Sequence, residues 1–144
     1  MAPTVVEEQC LAGNPLELKS VSIAYNVVAA MTIAYCLFSA GCDFVGYERV
    51  GVAMDKVGVP RSWMPWLGIP KAAGAVGLVV GFWVPAIATA AAGGLVLFFA
   101  AAVVTHLRVR DYTFGLQYPF LLLAVSTLTL RGCRVRQRVR GGRG

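Results

Sequence analysis

The sequence predicts an all-α fold: a transmembrane four-helix bundle with a short interfacial amphipathic helix between the first and second spans. Residues 72–107 carry no charged side chain, and this run is nearly twice the roughly 20 residues that cross a bilayer once. Hydrophobic residues make up 58% of the chain and charged residues 14%, against about 25% in soluble domains. Alternating strands of the type that form membrane barrels are absent from the sequence, so the spans are predicted to be helices.

The positions of charged residues define the limits of the first two spans. Residues 20–42 are uncharged and long enough to cross with some tilt. A cleaved signal peptide is not expected, because the preceding segment is acidic rather than basic. The second span must begin near Trp66 to reach across the hydrocarbon. Lys71 then lies about one turn inside the membrane, from which its long side chain can extend to the surface.

The third and fourth spans follow Pro85, which is the expected turn within the uncharged run. They are predicted over residues 86–107 and 112–130, with Pro119 inside the fourth. The expected organisation is a flexible N-terminal segment (1–18), a four-helix membrane domain (19–131) and a basic flexible C-terminal tail (132–144).

The segment between the first and second spans, residues 43–65, predicts an amphipathic helix at the membrane surface. Tyr47, Val50, Met54 and Val57 recur at helical spacing, and charged residues lie between them. A polar loop with only a weakly helical patch is the alternative interpretation.

Small residues indicate how the second and third spans pack. Ala73, Gly77 and Gly81 are four residues apart on the second span, and Gly74 lies beside them. On the third span, Ala86, Ala90 and Gly94 repeat this spacing. Small residues four apart allow helices to approach closely, so the two strips are expected to face each other.

Ionisable and polar side chains are expected to converge on one side of the membrane. If the helices alternate in direction, the end of the first span, the start of the second, the end of the third and the start of the fourth share one face. The groups expected near this face are Asp43, Lys71, His106, Gln117, Tyr118 and the interfacial segment that carries Glu48, whereas Tyr25 and Asn26 add neutral polarity to the first span. The candidate acid–base groups are Asp43, Glu48, Lys71 and His106, and the candidate ligand-binding groups are Tyr25, Asn26, Gln117 and Tyr118. Such groups inside a membrane usually face the bundle interior. They could bind an anionic or quinone-like ligand or transfer protons. Structural alternatives are an Asp43–Lys71 ion pair between helices and a helix-capping role for His106.

Metal-binding, cofactor-binding and disulfide patterns are scarce in the sequence. The single histidine and the cysteine spacing give no metal-ligand pattern, and no cofactor-binding motif is identifiable. Cys10 and Cys133 lie near the two termini, on the same side of the membrane, where a disulfide is conceivable.

Several apolar segments resemble the DoxX-like family: Phe38-Ser39-Ala40-Gly41, Val57-Gly58-Val59-Pro60, the run from Lys71 to Leu78, and His106-Leu107-Arg108. The resemblance covers roughly residues 20–131. It implies a small four-helix membrane bundle. The family takes its name from a subunit linked to a quinone-reducing, thiosulfate-oxidising complex, and other members are implicated in membrane redox complexes. The family has no agreed catalytic motif, so the resemblance implies fold and location more than activity.

Three functions are compatible with these observations. The first is a non-enzymatic subunit or scaffold of a membrane redox or assembly complex. The second is a membrane-embedded enzyme that uses acid–base chemistry on a lipophilic substrate, in epoxide opening, isomerisation or cyclisation. The third is a quinone- or lipid-binding element.

The expected surroundings follow from hydropathy and charge. The chain is predicted to be a multi-pass protein of the plasma membrane with both termini in the cytoplasm, because arginines are dense in the C-terminal segment. Expected partners are the lipid bilayer, a membrane protein or a second copy of the chain, and anionic lipid at the basic tail. Nucleic acid is not expected, since interleaved aromatics and a nucleic-acid-binding motif are lacking.

Overall fold

The computed structural model describes residues 15–110 and 117–141, and these ranges are almost entirely helical. The elements are α1 (Pro15–Val45), α2 (Glu48–Lys56), a short 3-10 helix (Arg61–Trp63), α3 (Met64–Val80), α4 (Pro85–Arg108) and α5 (Gln117–Gly141). No strand occurs within the described ranges. The all-α class and the short helix between the first two long helices are confirmed.

Three of the described helical segments are long and apolar enough to cross a membrane: Lys19–Val45, Arg61–Val80 and Pro85–Arg108. The fourth long helix, α5, has 25 residues. It is less hydrophobic because arginines follow its apolar part from Arg131 onward. Residues 112–116 of the predicted fourth span lie outside the described residues, as do residues 1–14, residue 111 and residues 142–144. The helix continues through most of the segment for which the sequence predicted a tail.

The four long helices form a ring in which each packs against two others. Helix α1 contacts α3 and α5, and α4 contacts the same two. The interior contains a cluster of apolar side chains from all four helices: Cys36, Ala75, Leu78, Ala92, Leu95, Phe99, Phe120 and Ala124. The rings of Phe99 and Phe120 are stacked with centroids 5.0 Å apart, and Tyr35 meets Phe120 edge-on at 4.9 Å.

The close approach of α3 and α4 depends on glycines of α3. A Cβ atom added at Gly77 would lie 2.7 Å from the Cβ of Ala91. Additional Cβ atoms would collide with Leu95 at Gly74 and with the backbone of Ala88 at Gly81. The predicted role of the glycines on the second span is therefore confirmed.

The predicted small-residue face of the third span is wrong. Ala86, Ala90 and Gly94 are exposed on the outside of the bundle, and nothing lies within 4 Å of a Cβ added at Gly94. The face of α4 that packs inward instead carries Ala88, Ala92, Leu95 and Phe99, all buried. The large side chains determine the rotation of α4, since burying Leu95 and Phe99 in the core turns the strip outward.

The predicted amphipathic helix exists as α2, and Gly51, Ala53 and Met54 are its buried residues. It lies next to the 3-10 helix in the chain, and the two are in contact. Trp63 and Trp66 follow, and both are exposed. Aromatic rings of this kind are typical of the membrane–water interface.

Candidate functional site

An ion pair connects α1 and α3 at one end of the bundle. Lys71 Nζ lies 2.7 Å from Asp43 Oδ2 and donates a second hydrogen bond, of 3.0 Å, to Ser39 Oγ. Because Asp43 and Ser39 are one helical turn apart, both face the same lysine. The side chain of Asp43 is 1% exposed and that of Lys71 is 13% exposed. Lys71 also lies over the ring of Phe98, 5.7 Å from its centroid.

His106 lies beyond this ion pair, closer to the same end of the bundle. It is buried near the C-terminal end of α4, eight residues beyond Phe98, which is level with Lys71. At 1.5 Å per residue this separates the two levels by about 12 Å along the helix axis. The structure thus joins two of the four candidate acid–base groups directly and places His106 at another level.

Glu48 belongs to a different cluster, on the surface segment between the first two spans. Arg61 donates to Glu48 at 3.1 Å and to Asp55 at 2.6 Å. The Arg61 guanidinium, through its hydrogen bonds, holds the pKa of the Asp55 carboxyl below its usual value. All three side chains are at least partly exposed. Their arrangement fastens α2 to the start of the second span, and it leaves Glu48 apart from Asp43 and Lys71.

The remaining candidates are divided between the two ends of the bundle. Tyr118 is 40% exposed near the start of α5, and Gln117 is the first residue of that helix, with its side chain outside the described part. Tyr25 and Asn26 lie at the opposite end. Tyr25 precedes Asp43 by 18 residues on α1, which corresponds to about 27 Å.

Tyr25 is the centre of a second polar cluster, which we call the arginine cluster: Ser22, Tyr25, Asn26, Arg131 and Arg134. Arg134 donates to Asn26 Oδ1 at 3.1 Å and to the carbonyl oxygen of Ser22 at 3.2 Å. The Cζ atoms of Arg134 and Arg131 lie 4.5 and 5.5 Å from the centre of the Tyr25 ring. These distances are within the range of cation–π attraction.

From the sequence, Arg131 was expected at the end of the membrane domain and Arg134 in the tail, and neither was connected with Tyr25. The missing information is the pairing of α1 with α5. Thr32 and Thr127 share a hydrogen bond of 3.0 Å. Seven residues before Thr32 and seven after Thr127, the antiparallel helices bring Tyr25 beside Arg134. Since both helices are apolar over most of their length, only the matching polar pairs could have indicated this register.

The comparison with known families agrees with the architecture. The profile of the DoxX-like family matches residues 27–129. The chain belongs to the DoxX-like family. No curated protein and no solved structure gives a significant match.

The matched range of this DoxX-like protein contains the Asp43–Lys71 pair and His106. It begins after Tyr25 and Asn26 and ends before Arg131, so the arginine cluster lies outside the matched residues.

The cysteines of this DoxX-like protein differ in their bonding. Cys36 and Cys42 are free thiols, and Cys133 is disulfide-bonded. Cys10, which the sequence suggested as its partner, lies outside the described residues. Over residues 15–110 and 117–141, no group of three His, Cys, Asp or Glu side chains could hold a metal ion.

Proposed function

We propose that this DoxX-like protein is a non-enzymatic subunit of a membrane complex, of the redox or assembly type. The observation that supports this most is the closed contact of Asp43 with Lys71 and Ser39. A general base needs a lone pair that is accessible to substrate, whereas this carboxylate is 1% exposed and bound to the lysine. The pair joins α1 to α3, as a structural brace would.

The proposal includes four membrane crossings. The ion pair and the arginine cluster are separated by about 27 Å along α1, close to the roughly 30 Å of a hydrocarbon core. Helix α5 packs along both α1 and α4, and its arginines begin at the level of the second cluster. Crossing by α5 would place its apolar part in lipid and its arginines at the interface.

The proposed location is the plasma membrane, with both termini in the cytoplasm. The dense arginines of α5 favour this orientation. The disulfide at Cys133 favours the opposite one, since disulfides persist mainly in oxidising compartments. Two reporters would decide the orientation, one active only in the cytoplasm and the other only outside it. Each is fused after Gly144 and, separately, within the loop between α3 and α4, two positions that lie on the same side if the chain crosses four times.

The subunit role is tested by purifying the chain from its native membranes in a mild detergent. We expect a stable complex with a second protein, and the same complex for the double variant Asp43→Asn/Lys71→Met, which removes both charges together. His106→Ala is the second variant, because His106 is the other buried acid–base candidate, and it should also leave the complex intact. Recovery of the wild-type chain only as a monomer would contradict the proposal. Loss of a lipid-directed activity in both variants, with the fold intact, would favour the enzyme instead.

A further inference from the structure

We infer that the arginine cluster is part of a binding site for a phosphate-bearing anion, supplied by the head group of an acidic phospholipid. The first observation is the state of Arg131. Its side chain belongs to a residue only 4% exposed, and its Nε atom is buried without a hydrogen-bond partner. A buried charge is costly unless it is paired, so this guanidinium requires an anion.

The described part of the chain supplies no such anion. The acidic side chains that it describes are Asp43, Glu48 and Asp55, and they lie at the other end of the bundle. Tyr25 offers its ring face to Arg131, which orients the guanidinium without neutralising it. The hydroxyl group of Tyr25 is itself buried and unpartnered among the described residues.

Arg131 also lines a groove of about 670 Å³ on the outside of the bundle. The groove is bounded by Thr89 of α4 and by a series of α5 residues: Leu128, Arg131, Gly132, Val135, Arg136 and Val139. Its walls are thus mainly apolar, with one buried and one exposed arginine. This combination matches a lipid, which has one charged group and long apolar chains.

The shape of the groove comes from the unequal lengths of α4 and α5. Taking Phe99 and Phe120, which are stacked, as level with each other, α5 extends about 10 Å beyond the first residue of α4. The first turn of α4 therefore forms a ledge beside the projecting part of α5. This ledge is the N-terminus of the 24-residue α4, so the positive end of the helix dipole lies there.

The depth of the ledge is the depth of lipid phosphates. The cluster lies about 27 Å from the Asp43–Lys71 level, which is nearly one hydrocarbon thickness. In this position Arg131 and Arg136 can donate to one phosphate, while Leu128 contacts the first part of an acyl chain. This inference rests on the four membrane crossings proposed above and does not depend on the subunit role.

The test is a native mass spectrometry titration of the purified full chain in detergent. The probes are dioleoylphosphatidylglycerol and, with the same acyl chains, dioleoylphosphatidylcholine. We expect the wild-type chain to prefer the acidic lipid by about tenfold, as one or two arginines on one phosphate would provide. Arg131→Gln should remove the preference. Arg108→Gln removes the same charge at the opposite end of α4 and should leave it unchanged.

Two further measurements keep the inference testable. If gel filtration shows that Arg131→Gln is misfolded, the variant Arg136→Gln is used in its place, since Arg136 is an exposed residue of the groove. Arg136→Gln should weaken binding of the acidic lipid at least threefold. An equal loss in Arg108→Gln would overturn the site and leave only diffuse attraction. Thermal stabilisation by inorganic phosphate as large as that by the acidic lipid would overturn the lipid as the source of the anion.

Discussion

Separating the charges of Asp43 and Lys71 should have unequal consequences, although each variant breaks the same contact. In Lys71→Met, the carboxylate of Asp43 stays behind at 1% exposure without its cation. In Asp43→Asn, the remaining lysine is 13% exposed, keeps Ser39 as an acceptor and can extend toward the surface. The loss of the lysine should therefore destabilise the protein more than the loss of the carboxylate.

The magnitudes follow from the burial of each charge. Leaving an uncompensated buried charge costs about 3–5 kcal/mol, which is the expected effect of Lys71→Met. Asp43→Asn should cost about 1–3 kcal/mol, the range for losing a partner of a charged hydrogen bond. The double variant Asp43→Asn/Lys71→Met buries no charge, so its cost should be close to that of Asp43→Asn alone. The cycle should accordingly show a coupling of about 3–5 kcal/mol, equal to the cost of Lys71→Met alone.

Equilibrium unfolding in mixed micelles, followed by fluorescence of the three tryptophans, measures these differences. Lys19→Met serves as the control, because it removes one positive charge at an exposed position and should change stability by less than about 0.5 kcal/mol. Equal effects of the two single variants, together with a double variant that equals their sum, would refute a buried and coupled pair.

Three other predictions concern packing and the surface segment. Gly81→Ala should destabilise the bundle by about 1–3 kcal/mol through overpacking, whereas Gly94→Ala, at an open position, should not; melting in detergent compares them. Thr127→Val should cost about 1 kcal/mol by removing its hydrogen bond with Thr32, and the same change at both positions should cost less than the sum of the two. The lowered pKa of Asp55 means that its contribution to stability is present above its unfolded pKa and is lost as pH falls through its folded pKa. Carboxyl chemical shifts should therefore show a midpoint below about 3.9, and a midpoint above that value would contradict the contact.

The sequence was informative wherever a charge or a proline interrupts an apolar run. The uncharged segment around Pro85 predicted two helices with a tight turn, and the structure ends α3 at Val80 and begins α4 at Pro85. The predicted convergence of Asp43 and Lys71 is realised as a direct contact. In both cases a charge or a proline marks a position along the helix axis, and position along the axis is what a sequence records directly.

Rotation about the axis was harder to predict. Helix α4 is apolar on every side, so hydropathy does not distinguish the core face from the lipid face. The strip of Ala86, Ala90 and Gly94 was therefore assigned to the wrong side, since its spacing is compatible with any neighbouring surface. Shape decides in this case: Leu95 fits against Gly74, and this fit depends on two helices at once.

The two polar ends of the bundle differ in how their charges are neutralised, and this difference has a functional consequence. At one end, Lys71 and Asp43 neutralise each other inside the protein. At the other, Arg131 is buried beside the uncharged ring of Tyr25, and its Nε atom has no hydrogen-bond partner among the described residues. We therefore expect an anion that reaches Arg131 to stabilise the second end, whereas the charges at the first end already neutralise each other. If lipid provides that anion, the stability of this DoxX-like protein should rise with the acidic lipid content of its membrane, and Arg131→Gln should remove that dependence.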